Sequence, residues 1–337
     1  MLSLGNAMRA QEPFVRPSRR AAAVLAWMVF GLLLLGCGGA PAGGEGPRIL
    51  FSDDLRVWSV NPDGGGARDF PGKGGGTPIP WNGGVLYASY RGPYLFFDPL
   101  KPGIYWADAA GGHRRRLRDC PALPQLQGMS RFGLLYLLPG DRATLHVLDP
   151  KSGEERTIAL PASARCVAVS PDQERCAVVL DPRFRTVVLA NQAWFTEGSD
   201  VLLLSLSGGQ VEPLPVPALL SPPSDVPPRL EDYAAAGLSA AVWLSDDEVL
   251  FSASPGLWSK ELRGTGLVSL VRPRKGGEAI ADGMALDAQR SRLAFTAGGR
   301  LLLRDLRTGE ERDITPRGLV GGAHHPAWME AGGEARR

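Results

Sequence analysis

The chain has 337 residues, 43 of them Gly and 29 Pro, with 37 Lys and Arg against 35 Asp and Glu. Its formal charge of +2 belongs to the N-terminal region: four Arg and one Glu lie in residues 1–36, so the remainder comes to about −1. A body without a net basic field has no general attraction for nucleic acid, and no nucleic-acid partner is expected.

Arg16, Arg19 and Arg20 precede an uncharged apolar run, residues 21–35 (AAAVLAWMVFGLLLL). That run is shorter than the roughly twenty residues needed to cross a hydrocarbon core and matches the h-region of a secretory signal. It ends in Leu34-Leu35-Gly36-Cys37, which resembles the lipobox of bacterial lipoproteins. The resemblance implies cleavage after Gly36, a diacylglycerol on the Cys37 sulfur and a second acylation at the freed amine. Gly36 meets the small-residue requirement before the cut; Leu35 is a less usual occupant of its position. The alternative is an ordinary signal, or an uncleaved anchor, that ends in a Cys. Two or more acyl chains make a stable anchor, and residues 38–46 (GGAPAGGEG) suit a flexible tether. Residues 1–36 are thus expected to be a signal peptide, 37–46 a tether, 47–330 the folded body and 331–337 a disordered tail. Gly38 lacks the Asp that resembles an inner-membrane retention signal, so the outer membrane, on its periplasmic side or at the cell surface, is the expected location.

From residue 48 on, apolar residues come in short bursts bounded by turn signals, which predicts many strands. Residues 48–52 (RILFS), 56–60 (RVWSV), a turn over 61–66 and residues 67–70 form a three-strand unit. Ile79 and Trp81, residues 85–89 (VLYAS), 103–107 (GIYWA) and 112–117 form a second unit. A looser third has residues 134–138 (LLYLL), 144–149 (TLHVLD), Ser152-Gly153 and 154–160. The fourth is clearer: 165–170 (RCVAVS), Pro171-Asp172, 175–180 (RCAVVL), 200–207 (DVLLLSLS), Gly208-Gly209 and 210–214. A fifth has 240–244 (AAVWL), Ser245-Asp246-Asp247, 248–252 (EVLFS), 266–271 (GLVSLV) and 277–280. The sixth has 283–287, 292–296 (RLAFT), 300–306 (RLLLRDL), Thr308-Gly309 and 310–315 (EERDIT). Residues 322–328 (GAHHPAW) then look like a first strand with nothing after it.

That stray strand is what the first unit lacks. Joining the two ends gives an all-β fold, a six-bladed β-propeller closed by its N- and C-terminal strands. Each blade buries its faces only against its neighbours, so closing the ring removes exposed end blades. A period near 45 residues lies in the blade range. A β-sandwich does not predict this ordered repeat, a β-helix rung is shorter, and a seventh blade would require splitting residues 180–200. Val169-Ser170-Pro171-Asp172 with 175–179, residues 303–308 with 310–315, and Pro326-Ala327-Trp328 resemble the blade pattern of TolB-type and WD40-like propellers. The resemblance covers most of residues 48–329, although Gln173 stands in place of the turn Gly and Ser245-Asp246-Asp247 in place of Ser-Pro-Asp. It implies the architecture and leaves function open, because this fold carries binders, scaffolds and enzymes. No stretch has the length or periodicity for the additional α/β domain of TolB-type proteins.

Catalytic motifs are missing. Leu206-Ser207-Gly208-Gly209-Gln210 is identical to the signature of ATP-binding cassette transporters, but Pro213, Pro215 and Pro217 forbid a helix there and no Walker A pattern exists. No G-x-S-x-G elbow occurs. Of His113, His146, His324 and His325, the last two alternate on a strand and would need a break in it to share an ion. Neither a metal nor a cofactor is expected. Asp53-Asp54, Asp246-Asp247 and Glu310-Glu311 read as turn residues rather than the paired acids of a glycosidase. The run Arg114-Arg115-Arg116 could touch anionic lipid or glycan, but reads better as a solvated outer strand. Cys166 and Cys176 flank a tight turn, either as a disulfide or as two buried thiols, and Cys120 has no evident partner.

The repeat is interrupted at residues 90–101, with Tyr94, Phe96 and Phe97; at 181–199, with Phe184, Trp194 and Phe195; and at the Pro-rich 219–236. Loops on a rigid scaffold tend to carry recognition, with aromatics as anchors; the other reading tucks these aromatics between blades. The expectation is a monomeric, lipid-anchored propeller, not an enzyme, that binds a protein or envelope component. The alternative is a propeller hydrolase or lyase acting on an extracellular glycan or lactone.

Overall fold

The structure, a computed structural model, describes residues 46–330 except 54–55, 71–76, 91–101, 110–112, 190–191, 217–237, 254–255, 265–267, 272–279 and 320. Its strands form six four-stranded antiparallel blades. Blade 1 joins the chain ends: β26 (His324–Met329) pairs with β1 (Arg48–Ser52), followed by β2 (Val57–Val60) and β3 (Arg68–Asp69). The register sets Arg48 opposite Met329 and Leu50 opposite Ala327. Blade 2 is β4 (Ile79–Trp81), β5 (Gly84–Tyr90), β6 (Pro102–Asp108) and β7 (Arg114–Asp119). Blade 3 is β8 (Gln125–Ser130), β9 (Gly133–Leu138), β10 (Asp141–Leu148) and β11 (Glu155–Ala159). Blade 4 is β12 (Ala164–Val169), β13 (Arg175–Leu180), β16 (Val201–Ser205) and β17 (Val211–Leu214), with a separate hairpin of β14 (Arg183–Leu189) and β15 (Gln192–Gly198) inserted mid-blade. Blade 5 is β18 (Leu238–Ser245), β19 (Glu248–Ala253), β20 (Gly256–Glu261) and β21 (Val268–Val271). Blade 6 is β22 (Ile280–Leu286), β23 (Arg292–Ala297), β24 (Arg300–Asp305) and β25 (Glu311–Asp313).

The middle strands are apolar on both faces because each blade is sandwiched between two others. Along β13, Cys176, Val178 and Leu180 pack against Leu135, Leu145 and Val147 of blade 3. The alternate residues Ala177 and Val179 pack against Trp243 and Phe251 of blade 5. Six buried clusters result, one at each blade junction, and the junctions of blade 1 are as apolar as the rest: Ile49 and Phe51 meet Leu301 and Leu303 of blade 6, while Leu50 and Met329 meet Val85 and Tyr87 of blade 2. The innermost strands β26, β4, β8, β12, β18 and β22 each contact the next around the ring. The ring is closed.

Two expectations are corrected, and one open alternative is narrowed. In blade 5 the third strand is Gly256–Glu261 and residues 268–271 form the fourth, while Ile280 already opens blade 6. Blade 3 has a first strand, Gln125–Ser130, that its sequence did not announce. Of the two alternatives for Cys166 and Cys176, the structure has the free thiols, as it does at Cys120. Cys166 lies opposite Val179 and Cys176 opposite Val169, so the two sulfurs belong to opposite faces of the blade.

Candidate binding face and channel

In a four-stranded antiparallel blade the connections between strands one and two and between three and four leave at one end. The connection between two and three, and the passage to the next blade, leave at the other. On the first face no connection exceeds seven residues, the longest being 61–67. Tight turns dominate it: Ser170 and Asp172 cap the turn into β13, with the Arg175 N–H donating to Ser170 Oγ at 3.0 Å and the Glu174 N–H to Asp172 Oδ1 at 2.9 Å. Every long connection is on the second face: 91–101 between β5 and β6, 181–200 between β13 and β16, and 215–237 between β17 and β18. One side of the ring is plain and the other is elaborated. The chain enters β1 and leaves β26 on the plain side.

A cavity of about 1080 Å³ runs along the innermost strands. Ser52, Asp53, Leu123, Pro124, Arg142, Arg165, Ser239 and His324 are among the residues lining it, all at strand ends that belong to the elaborated face. Arg142 and Arg165 both approach Asp181 Oδ1, at 3.7 and 3.9 Å, and all three side chains are more than a third exposed. Arg165 also donates to the Leu238 carbonyl at 3.3 Å. Gln127 links neighbouring blades: its Oε1 accepts the Val167 N–H at 2.7 Å and its Nε2 donates to the Gln125 carbonyl. Among the described lining residues the one carboxylate is Asp53. It is buried and accepts from the Arg56 N–H at 2.6 Å and Trp58 Nε1 at 2.9 Å.

Solved structures with the same ring exist. TolB from Acinetobacter baumannii superimposes with a TM-score of 0.56 at 14% identity, over 94% of this chain and 74% of that chain. A chain of a nidogen/laminin complex does so with a TM-score of 0.58 at 9% identity, over 84% of this chain and 98% of that chain. The shared fold is the six-bladed propeller. At such identities the likeness concerns the fold alone. No family model and no curated protein matches the chain.

On this propeller the residues singled out from sequence fall as follows. Cys37, Tyr94, Phe96 and Phe97 lie outside the described residues. Phe184, Trp194 and Phe195 belong to the hairpin of β14 and β15, where the backbone register pairs Phe184 with Glu197, Val187 with Trp194 and Thr186 with Phe195. The interruption at 181–199 is therefore an ordered two-stranded element and not a loop. Ser207-Gly208-Gly209 is the turn between β16 and β17, with Gly209 at φ +66°. Asp246 and Asp247 are exposed turn residues, and Glu311 pairs with Arg304 at 3.7 Å.

The arginine run lies on β7, the outermost strand of blade 2, with Arg114 and Arg115 exposed, as the solvated-strand reading expects, although two of the three side chains also make contacts within the protein. Arg114 lies over the Tyr105 ring at 4.2 Å and donates to Ser89 Oγ at 3.2 Å, Arg116 pairs with Asp119, and Arg118 pairs with Glu155. Glu155 is the hub of a part-buried cluster joining blades 2 and 3. Its Oε1 accepts from Tyr136 Oη at 2.7 Å and lies 2.6 Å from His146 Nδ1, whose ring stacks on Tyr136. Burial alone would push the Glu155 carboxyl up; the Tyr136 and His146 hydrogen bonds and the Arg118 charge outweigh it and hold the group below its ordinary value. Burial pushes the neighbouring Cys120 thiol up to about 11 and that of Cys176 up to about 12, so neither is a thiolate at neutral pH. Sequence reasoning missed Arg142, Arg165 and Gln127, because isolated polar residues at strand ends carry no motif.

Proposed function

We propose that this chain is a lipid-anchored envelope module, not an enzyme, that binds a protein or other envelope component through the elaborated face of its propeller. The observation that carries the reading is the one-sidedness of the ring: the three longest connections all join strand ends on one face, while the other face keeps short turns. Sequence length of this kind on a rigid scaffold is where recognition resides. One solved propeller of this fold is in a nidogen/laminin complex, so the architecture is compatible with holding a protein. Glycoside cleavage needs two carboxyls across a cleft, and the described channel wall supplies one, held in a turn.

The test is affinity capture from envelope extract with the processed chain. A specific partner should be recovered, lost when Tyr94, Phe97 and Trp194 are replaced by Ala, and kept when Lys151 and Arg307 on the plain face are replaced by Ala. Retention after the first set, or equal loss after the second, contradicts the assignment of the face. Cys37→Ala should move the protein from the membrane pellet to the soluble fraction; a variant that stays in the pellet contradicts lipid anchoring.

A further inference from the structure

Among the described residues, the channel mouth is lined by more cationic and imidazole groups than carboxylates. On the wall of blades 3 and 4, Arg142 and Arg165 share the carboxylate of Asp181 through long contacts, two positive charges to one negative among the described residues. Blade 1 stands across the ring from blade 4, and its inner strand presents His324 and His325 to the same cavity. A regular strand would send consecutive side chains to opposite sides. Here the pairing of β26 with β1 shifts register between Leu50 and Ser52, and His325 adopts φ +49°. The two rings come within 6.4 Å, centroid to centroid.

That bend is costly. A non-glycine residue in the left-handed region is disfavoured, and more so directly before a proline, as His325 is before Pro326. Gly283 accommodates it: a Cβ there would lie 2.6 Å from Pro326 Cδ and 2.8 Å from His325 Cα. Backbone strain that the surroundings preserve is a pointer to function.

From this geometry we infer that the channel mouth binds a small polyanion, bearing carboxylate or phosphate groups, between Arg142 and Arg165 on one wall and the His324–His325 bend on the other. Guanidinium forks match both oxyanion types, and a cavity of about 1080 Å³ has room for a small polyanion. The inference goes beyond the proposed partner binding and needs no partner for its test, so either can fail alone.

The experiment is calorimetric titration of the full chain in detergent with citrate and, separately, with tripolyphosphate, at matched ionic strength. One saturable site is expected for at least one probe, and the stronger probe tells carboxylate from phosphate recognition. Arg142→Gln with Arg165→Gln should weaken binding at least tenfold. His325→Gly, which removes the ring and relieves the strain, should weaken binding while raising the melting temperature, and it decides the matter should the double variant fail to fold. Absence of saturable binding by either probe, or binding unchanged in these variants, overturns the inference.

Discussion

At the scale of single residues, the structure shows where repeat chemistry is obeyed and where it is strained. Gln173 occupies the turn position that the blade pattern gives to Gly, and it does so at φ +60°. A left-handed non-glycine residue costs roughly 1–2 kcal/mol, part of it offset by the greater freedom Gly has in the unfolded chain. Gln173→Gly should therefore stabilise the protein by about 0.5–1 kcal/mol in urea denaturation. Glu155 is the opposite case, a residue whose removal strands its neighbours. Glu155→Ala leaves Arg118, Tyr136 and His146 without their shared acceptor, and stranding part-buried polar groups in this way costs about 1–3 kcal/mol. Because the folded state holds this carboxyl below its ordinary value of 4.5, its contribution is complete above that pH and is lost as pH falls through the lowered value. Acid titration of stability should show that loss in the wild type and lack it in the variant.

Among elements, a device recurs between blades. Trp243 of β18 donates its indole N–H to the Ala168 carbonyl of blade 4 at 2.9 Å, and Arg175 of blade 4 lies over its ring at 5.5 Å. Trp328 of β26 repeats this against blade 6, donating to Ala285 at 3.1 Å under Arg292 at 4.9 Å. Trp243→Phe keeps much of the apolar surface, but leaves a buried carbonyl unpaired and weakens the cation–π contact. The expected cost is about 1–3 kcal/mol in denaturant midpoint analysis. What the sequence made legible follows the same logic. Strands whose two faces are both core, such as β13 and β23, declare themselves as apolar runs. Gly256–Glu261 did not, because its buried Lys260 reads as a surface residue; the Nζ is satisfied by the carbonyls of Glu261 and Gly264 at the hairpin turn. Gln125–Ser130 did not either, since Gln125 and Gln127 line the channel instead of the core. The candidate site was legible only as interruptions of the repeat. The channel charges come from residues far apart in sequence that only the ring brings together.

For the whole molecule, the two-sidedness of the ring and the convergence of Arg142, Arg165, His324 and His325 depend on closure by strands from opposite ends of the chain. Closure places both ends on the plain face, with Arg48 opposite Met329 at the end of the ladder. Blade 1 differs from the others chiefly in lacking a covalent turn between its first two strands. The direct test is a circular permutant in which residue 330 is joined to residue 47 by a short glycine-containing turn and new ends are opened within 217–237. It should fold, unfold in one cooperative transition and melt within a few degrees of the parent domain under the same conditions. A permutant that fails to fold, or that loses one blade in a separate transition, would contradict the closed six-bladed ring.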